Sequence, residues 1–151
     1  MEIRRALPAE ADSLATLWIR SRVASVPSIP PTVHTEEEVR WWFKEEILPS
    51  RETWVADFRS EIGALMVLDN EWIDQLYVDP ALTGRGIGGA LLARAIQLRP
   101  TGLKLWTFQR NVRARSFYEA QGFAVVGSTT GDNEEGAPDV CYEWRPILEP
   151  D

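Results

Sequence analysis

The chain has 151 residues, 44% of them hydrophobic, and a formal net charge of −7, which suits one domain with a core and is too short for two. The acidic balance argues against nucleic acid or an anionic membrane as the main partner, and a single cysteine, Cys141, with a single histidine, His34, excludes an intramolecular disulfide and a Cys/His metal site. The first residues lack the apolar core of a signal peptide and no apolar run approaches the roughly 20 residues that span a bilayer. A single cytoplasmic domain, 1–151, without a bound metal is therefore expected.

In chain order, "EIRRA" reads as a short strand, and Ala9 to Val23 follows with Leu14, Leu17 and Trp18 at helical spacing. "ASVPSIPPTVH" is broken by its prolines and is expected to be a loop. Thr35-Glu36-Glu37-Glu38 spells a capping box, in which Thr35 accepts from the backbone and Glu38 reaches back, opening a helix through Trp41, Trp42 and Ile47 to Pro49. "TWVADF" and "IGALMVL", joined by a short polar turn, predict a hairpin, and "EWIDQLYV" extends it to an antiparallel meander. A helix from Gly86–Gly88 to about Leu98 and the strand "LKLWTF" come next. A further helix runs from the N-cap Asn111 to a left-handed cap at Gly122, with Phe123 folding back onto it. "FAVVGST" and "VCYEW" are late strands around the acidic loop "TGDNEEGAPD". The order β α α β β β α β α β β predicts an α/β or α+β sheet with helices packed against it.

One stretch departs from the acidic background. Between Pro80 and Tyr118 there is no Asp or Glu, yet Arg85, Arg94, Arg99, Lys104, Arg110, Arg113 and Arg115 all fall there. The block begins at Gly84, Gly86, Gly88 and Gly89, where a strand ending at Val78 turns into a helix. A helix N-terminus offers unpaired N–H groups at a positive dipole end, and glycine lets a phosphate approach that backbone. The spacing also satisfies G-x-G-x-x-G, but the acid that should hold a ribose about 20 residues on is missing, since none occurs before Glu119. A nucleotide-dependent oxidoreductase is thus the weaker reading, and a diphosphate-bearing ligand of another kind the stronger one.

"LYVDPALTGRGIGGALL" resembles the acetyl-CoA loop of the GNAT N-acetyltransferase superfamily, and "NVRARSFYEAQGF", residues 111–123, is similar to the Asn-x-x-Ala-x-x-x-Tyr-x-x-x-Gly-Phe segment that follows it there. The resemblance implies a mixed, mostly antiparallel sheet of six or seven strands with about four helices, acetyl-CoA as co-substrate, and direct transfer to a primary amine of a small molecule or peptide. It implies that Leu76, Tyr77 and Val78 bind the pantetheine arm where the sheet opens between its fourth and fifth strands. Gly84, Arg85, Gly86, Ile87, Gly88 and Gly89 would hold the diphosphate, Asn111 would touch the pantetheine, and Tyr118 would protonate the leaving thiolate. The family usually carries Arg or Gln where Thr83 stands, a role Arg85 is placed to fill. An acyl-CoA binding or sensing module with little catalysis is the alternative from another class, and a homodimer stays open.

The attacking amine must also lose a proton. Asp74 and Glu71, at the start of the fourth strand, are the carboxylate candidates for that base, with His34 as the side chain of near-neutral pKa. Cys141 has no histidine near it in sequence to make it a nucleophile. Outside the cationic block nine Lys and Arg face twenty-three Asp and Glu, and Asp132, Glu134, Glu135 and Asp139 crowd the late loop. By resemblance that loop lies near the acceptor entrance. With His34 and the indoles of Trp41, Trp42 and Trp72 it suits a cationic or neutral amine.

Overall fold

The computed structural model describes residues 1–147. Seven strands form one sheet in the order β1-β2-β3-β4-β5-β7-β6: β1 Glu2–Arg5, β2 Glu52–Phe58, β3 Glu61–Asp69, β4 Trp72–Val78, β5 Leu103–Phe108, β6 Ala124–Ser128 and β7 Asp139–Trp144. Every neighbour pair is antiparallel except β4 and β5. The principal helices are α1 Ala11–Ser25, α2 Glu36–Trp42, a short α3 Leu48–Ser50, α4 Ile87–Leu98 and α5 Val112–Ala120. Among the described residues no helix is long and apolar enough to cross a membrane.

Helices cover both faces, and this explains the uninterrupted apolar run of β3, buried from Gly63 to Leu68. On one face Leu14, Leu17 and Trp18 of α1 and Val39 of α2 pack with Val55, Leu65 and Val67. On the other, Ile87, Leu91, Leu92 and Ala95 of α4 and Tyr118 of α5 pack with Ala64, Met66, Leu68, Leu105 and Tyr142. Each fully buried aliphatic side chain contributes about 1.5–3 kcal/mol, so the two cores fix the sheet from both sides.

The expected elements are present, with three local differences. The first turn before α1, Pro8–Glu10, is a 3-10 turn. The capping box forms, with Glu38 N–H donating to Thr35 Oγ1 (3.1 Å) and Thr35 N–H to Glu38 Oε1 (3.0 Å), but the helix it opens passes through a π turn at Phe43–Ile47 before α3. In β4 the register against β3 slips between Gln75, opposite Val67, and Ile73, opposite Leu68. Asp74 is therefore the extra residue of a β-bulge, which re-aims its side chain.

Candidate active site

Past Val78 the chain makes a short turn, Pro80–Leu82, capped by Asp79, whose Oδ1 accepts from Ala81 N–H (3.0 Å) while its Oδ2 binds Arg20 of α1 (3.1 Å). Gly84 and Gly86 then take φ of +80° and +79°, a conformation that costs an L residue about 1–2 kcal/mol. A Cβ at Gly84, Gly86 or Gly89 would meet nothing within 4 Å, so close packing is not what excludes a side chain there. Gly88 differs, since its Cβ would touch Phe117 at 3.6 Å and Val78 at 3.7 Å. Gly86 caps α4 without a side-chain acceptor, leaving the first amides of the helix aimed outward at its positive end.

Above these amides lies a cavity of about 590 Å³, lined by Gly84, Gly86, Ile87, Gly88 and Gly89, by Leu76, Tyr77 and Val78, and by Asn111, Arg113 and Tyr118. Nine of the expected cofactor residues are thus brought together. Arg85 is the exception: its side chain is exposed and lies outside the cavity wall. Thr83 lines the cavity, but its hydroxyl donates to the Pro80 carbonyl (3.2 Å). The cation at the wall is Arg113. Asn111 Oδ1 caps α5 by accepting from Ala114 N–H (3.2 Å), which leaves its amide NH₂ to donate elsewhere.

The sheet opens beside this cavity. β4 and β5 pair only at Trp72 and Lys104, where Lys104 N–H donates to the Glu71 carbonyl (2.9 Å). Beyond Ile73 the β4 edge that faces β5 carries no ladder bonds, and such backbone groups need a partner. A cleft of about 100 Å³ fills the gap, lined by Ile73 to Tyr77, by Leu105 to Phe108, and by Asn111 and Tyr118. Tyr118 thus lines both openings. It is 8% exposed, and among the described residues its hydroxyl makes no hydrogen bond. Burial, with the Tyr77 phenol nearby, holds its pKa well above the ordinary phenol value, so it stays protonated at neutral pH.

Of the two carboxylates expected near the amine, Asp74 lines the cleft and Glu71 does not. Burial raises the Asp74 pKa, Arg51 opposes the shift through its charge and a hydrogen bond, and Asp69 adds to it; the net direction is upward. Glu71 instead sits 3.8 Å from Lys104 where β4 and β5 are still joined, and Trp72 lies there too, under the Lys104 ammonium at 5.7 Å. Asp74, the bulge residue, lies beyond the point where the strands part and its carboxylate pairs with Arg51, while residues 71 and 72 precede that point. Cys141 is buried, and burial raises its thiol pKa, the opposite of an activated nucleophile.

His34, Glu134 and Glu135 meet in a separate cavity of about 660 Å³ between α1, α2 and the β6–β7 loop, which Trp41 and Trp42 also line. His34 Nε2 lies 2.5 Å from Glu134 Oε1 and its Nδ1 3.5 Å from Glu38 Oε2. Desolvation lowers the imidazole pKa, but the bonds to Glu38 and Glu134 and their charges outweigh it, so the net shift is upward. Gln75 lines both this cavity and the β4–β5 cleft. Several wall residues escaped the sequence reading, Gln75 and Arg22 among them. Gln75 accepts from Trp18 Nε1 (3.0 Å), and Arg22 sits on the buried face of α1. A signal for Arg22 existed: it continues the stripe Ala11, Leu14, Ala15, Trp18, where a cation has no solvating role.

The candidate site thus combines a phosphate-ready helix N-terminus, a parted pair of strands and a protonated phenol where the two openings meet. A model of the GNAT acetyltransferase domain matches residues 49–125, and this chain belongs to that family of N-acetyltransferases. The peptidyl-lysine N-acetyltransferase YjaB of Salmonella typhimurium is 33% identical, over 88% of this chain and 90% of that protein. YiaC of Escherichia coli, also a peptidyl-lysine N-acetyltransferase, is 27% identical over 97% and 98%. The solution structure of apo YjaB from Escherichia coli superposes with a TM-score of 0.76 at 26% identity, covering 95% of this chain and 96% of that one.

Proposed function

We propose that the protein transfers the acetyl group of acetyl-CoA to the side-chain amine of a lysine in a peptide or protein. The observation that carries this reading is the junction itself, where the cavity over the α4 amides and the gap between β4 and β5 share Tyr118, Asn111, Leu76 and Tyr77. A diphosphate suits the glycine-led helix end. An extended pantetheine amide arm suits the unpaired β4 edge, as an added strand would. Two structural relatives support the donor: an N-acetyltransferase of Thermoplasma acidophilum is known in complex with coenzyme A, and YncA of Salmonella typhimurium with acetyl-CoA. The names of the sequence relatives support the acceptor.

The roles of the residues follow from their surroundings. Asp74, its basicity raised by burial, takes one proton of the lysine ammonium and later returns it to solvent; the neutral nitrogen forms its bond to the acyl carbon as the carbon–sulfur bond breaks, and the second proton it sheds replaces the one that Tyr118 loses. Tyr118 gives its proton to the departing sulfur, and its unbonded hydroxyl is free to do so. No covalent enzyme intermediate is needed. The test is to follow thiol release from acetyl-CoA with lysine peptides and to locate the acetyl group by mass spectrometry. Acetylation on the lysine side chain is expected. Release of thiol with free amino acids, aminoglycosides or peptide N-termini, and none with lysine peptides, would refute the reading, and no release with any amine would favour a binding module.

A further inference from the structure

We propose that the cavity between α1, α2 and the β6–β7 loop is a second subsite, which binds the main chain and a basic side chain next to the lysine that is acetylated. The inference rests on the lysine-acetyltransferase reading above and adds a sequence context to it.

Trp41 is 56% exposed at the cavity wall and, alone of the three indoles there, has no aromatic or cationic partner among the described residues. Glu37 precedes it by four residues, one helical turn. The π turn at Phe43–Ile47 then widens the helix, so that Glu46, five residues after Trp41, reaches the cavity wall while Glu45 does not. Neither Glu37 nor Glu46 makes a side-chain hydrogen bond or ion pair among the described residues. A bare indole flanked by two unpaired carboxylates is a cation site.

A second, independent feature asks for a different group. Arg22 is 7% exposed and lines the same cavity. Its Nη2 donates to the Pro30 carbonyl (3.1 Å) and lies 3.5 Å from Glu135, but its buried Nε has no partner among the described residues. The Tyr77 phenol feels the guanidinium through its charge and a hydrogen bond, which leaves Nε as the donor without a partner among the described residues. A buried guanidinium with a spare donor is costly unless a ligand supplies an acceptor. A peptide carbonyl does so, whereas a small polyamine has none.

Chemistry separates this cation from the reacting amine. A pair of carboxylates holds an ammonium in its charged form, whereas the nucleophile must become neutral by giving its proton to a single base. The reacting lysine therefore belongs in the β4–β5 cleft beside Asp74, which Gln75 joins to the cavity.

The experiment measures kcat/KM for blocked peptides with a central lysine and Arg, Ala or Glu at each flanking position, with spermidine alongside. At one or more positions Arg should exceed Ala by about tenfold, mostly through KM, and Glu should fall below Ala. Trp41→Ala and Glu37→Gln, both at exposed positions, should each bring the Arg-to-Ala ratio toward one. Lysine peptides acetylated with a ratio near one at every position, or a ratio that both variants leave intact, would overturn the subsite and leave the lysine reading standing. Spermidine used better than every peptide would replace the peptide by a polyamine as occupant. Failure of all lysine peptides would overturn the lysine reading and the subsite together.

Discussion

Tyr118 separates chemistry from binding at the level of one atom. Its hydroxyl has no hydrogen-bond partner among the described residues while its ring packs against Phe117 and Phe123, so Tyr118→Phe should leave melting temperature unchanged. Turnover should fall by roughly 10² to 10³, the size general-acid catalysis supplies, with little change in the Michaelis constant for acetyl-CoA. Steady-state kinetics beside a thermal melt decides this, and an unaltered turnover number would remove the tyrosine from the reaction. The glycines divide by the same kind of reasoning. Gly89 lies in α4 without a positive φ, and its Cβ would meet nothing. Gly89→Ala should therefore stabilise the free protein by up to about 1 kcal/mol, the helix preference of alanine, yet raise the Michaelis constant for acetyl-CoA, because the added methyl stands over the amides. A more stable variant with unchanged acetyl-CoA use would show that the residue faces no ligand.

At the level of elements, the β6–β7 loop is tied to the loop before α2 through His34. The folded-state pKa of His34 is raised above the free imidazole value, so this tie is complete below about pH 6.5 and is lost as pH rises through the folded value. Hydrogen exchange of residues 129–138 should accordingly be slower at pH 6 than at pH 8 after correction for intrinsic rates, and His34→Gln should remove the difference. Equal protection in wild type and variant would mean the ring carries no part of the closure. Elements also show what a sequence makes legible. The Thr35–Glu38 capping box, the Asn111 cap and the left-handed Gly122 are local, since each is satisfied within a few residues, and all three form as written. The Asp74 bulge and the π turn after Trp42 are set by partners elsewhere in the fold. A carboxylate in an apolar strand shows that something is unusual at residue 74 but not which way it points. Trp72 illustrates the converse: an indole beside carboxylates in sequence is drawn under Lys104 by strand pairing that only the folded sheet reveals.

For the whole molecule, an acidic background surrounds the acid-free stretch from Pro80 to Tyr118, of whose cations only Arg113 stands at the wall of the cavity over α4. That contrast in charge was readable in the sequence because charge sums over segments, whereas the meeting of Arg22, Trp41 and Glu134 across three separate elements was not. The central claim is that donor and lysine meet where β4 and β5 part. It is tested most directly by a conjugate in which coenzyme A is joined through an acetyl bridge to the side-chain nitrogen of a lysine peptide, with affinity measured by calorimetry. Occupying both cavities at once, the conjugate should bind at least about 10²-fold more tightly than coenzyme A or the peptide alone, since the second contact becomes intramolecular. Affinity no better than that of coenzyme A itself would contradict the account, because the peptide arm would then have no site beside the thioester.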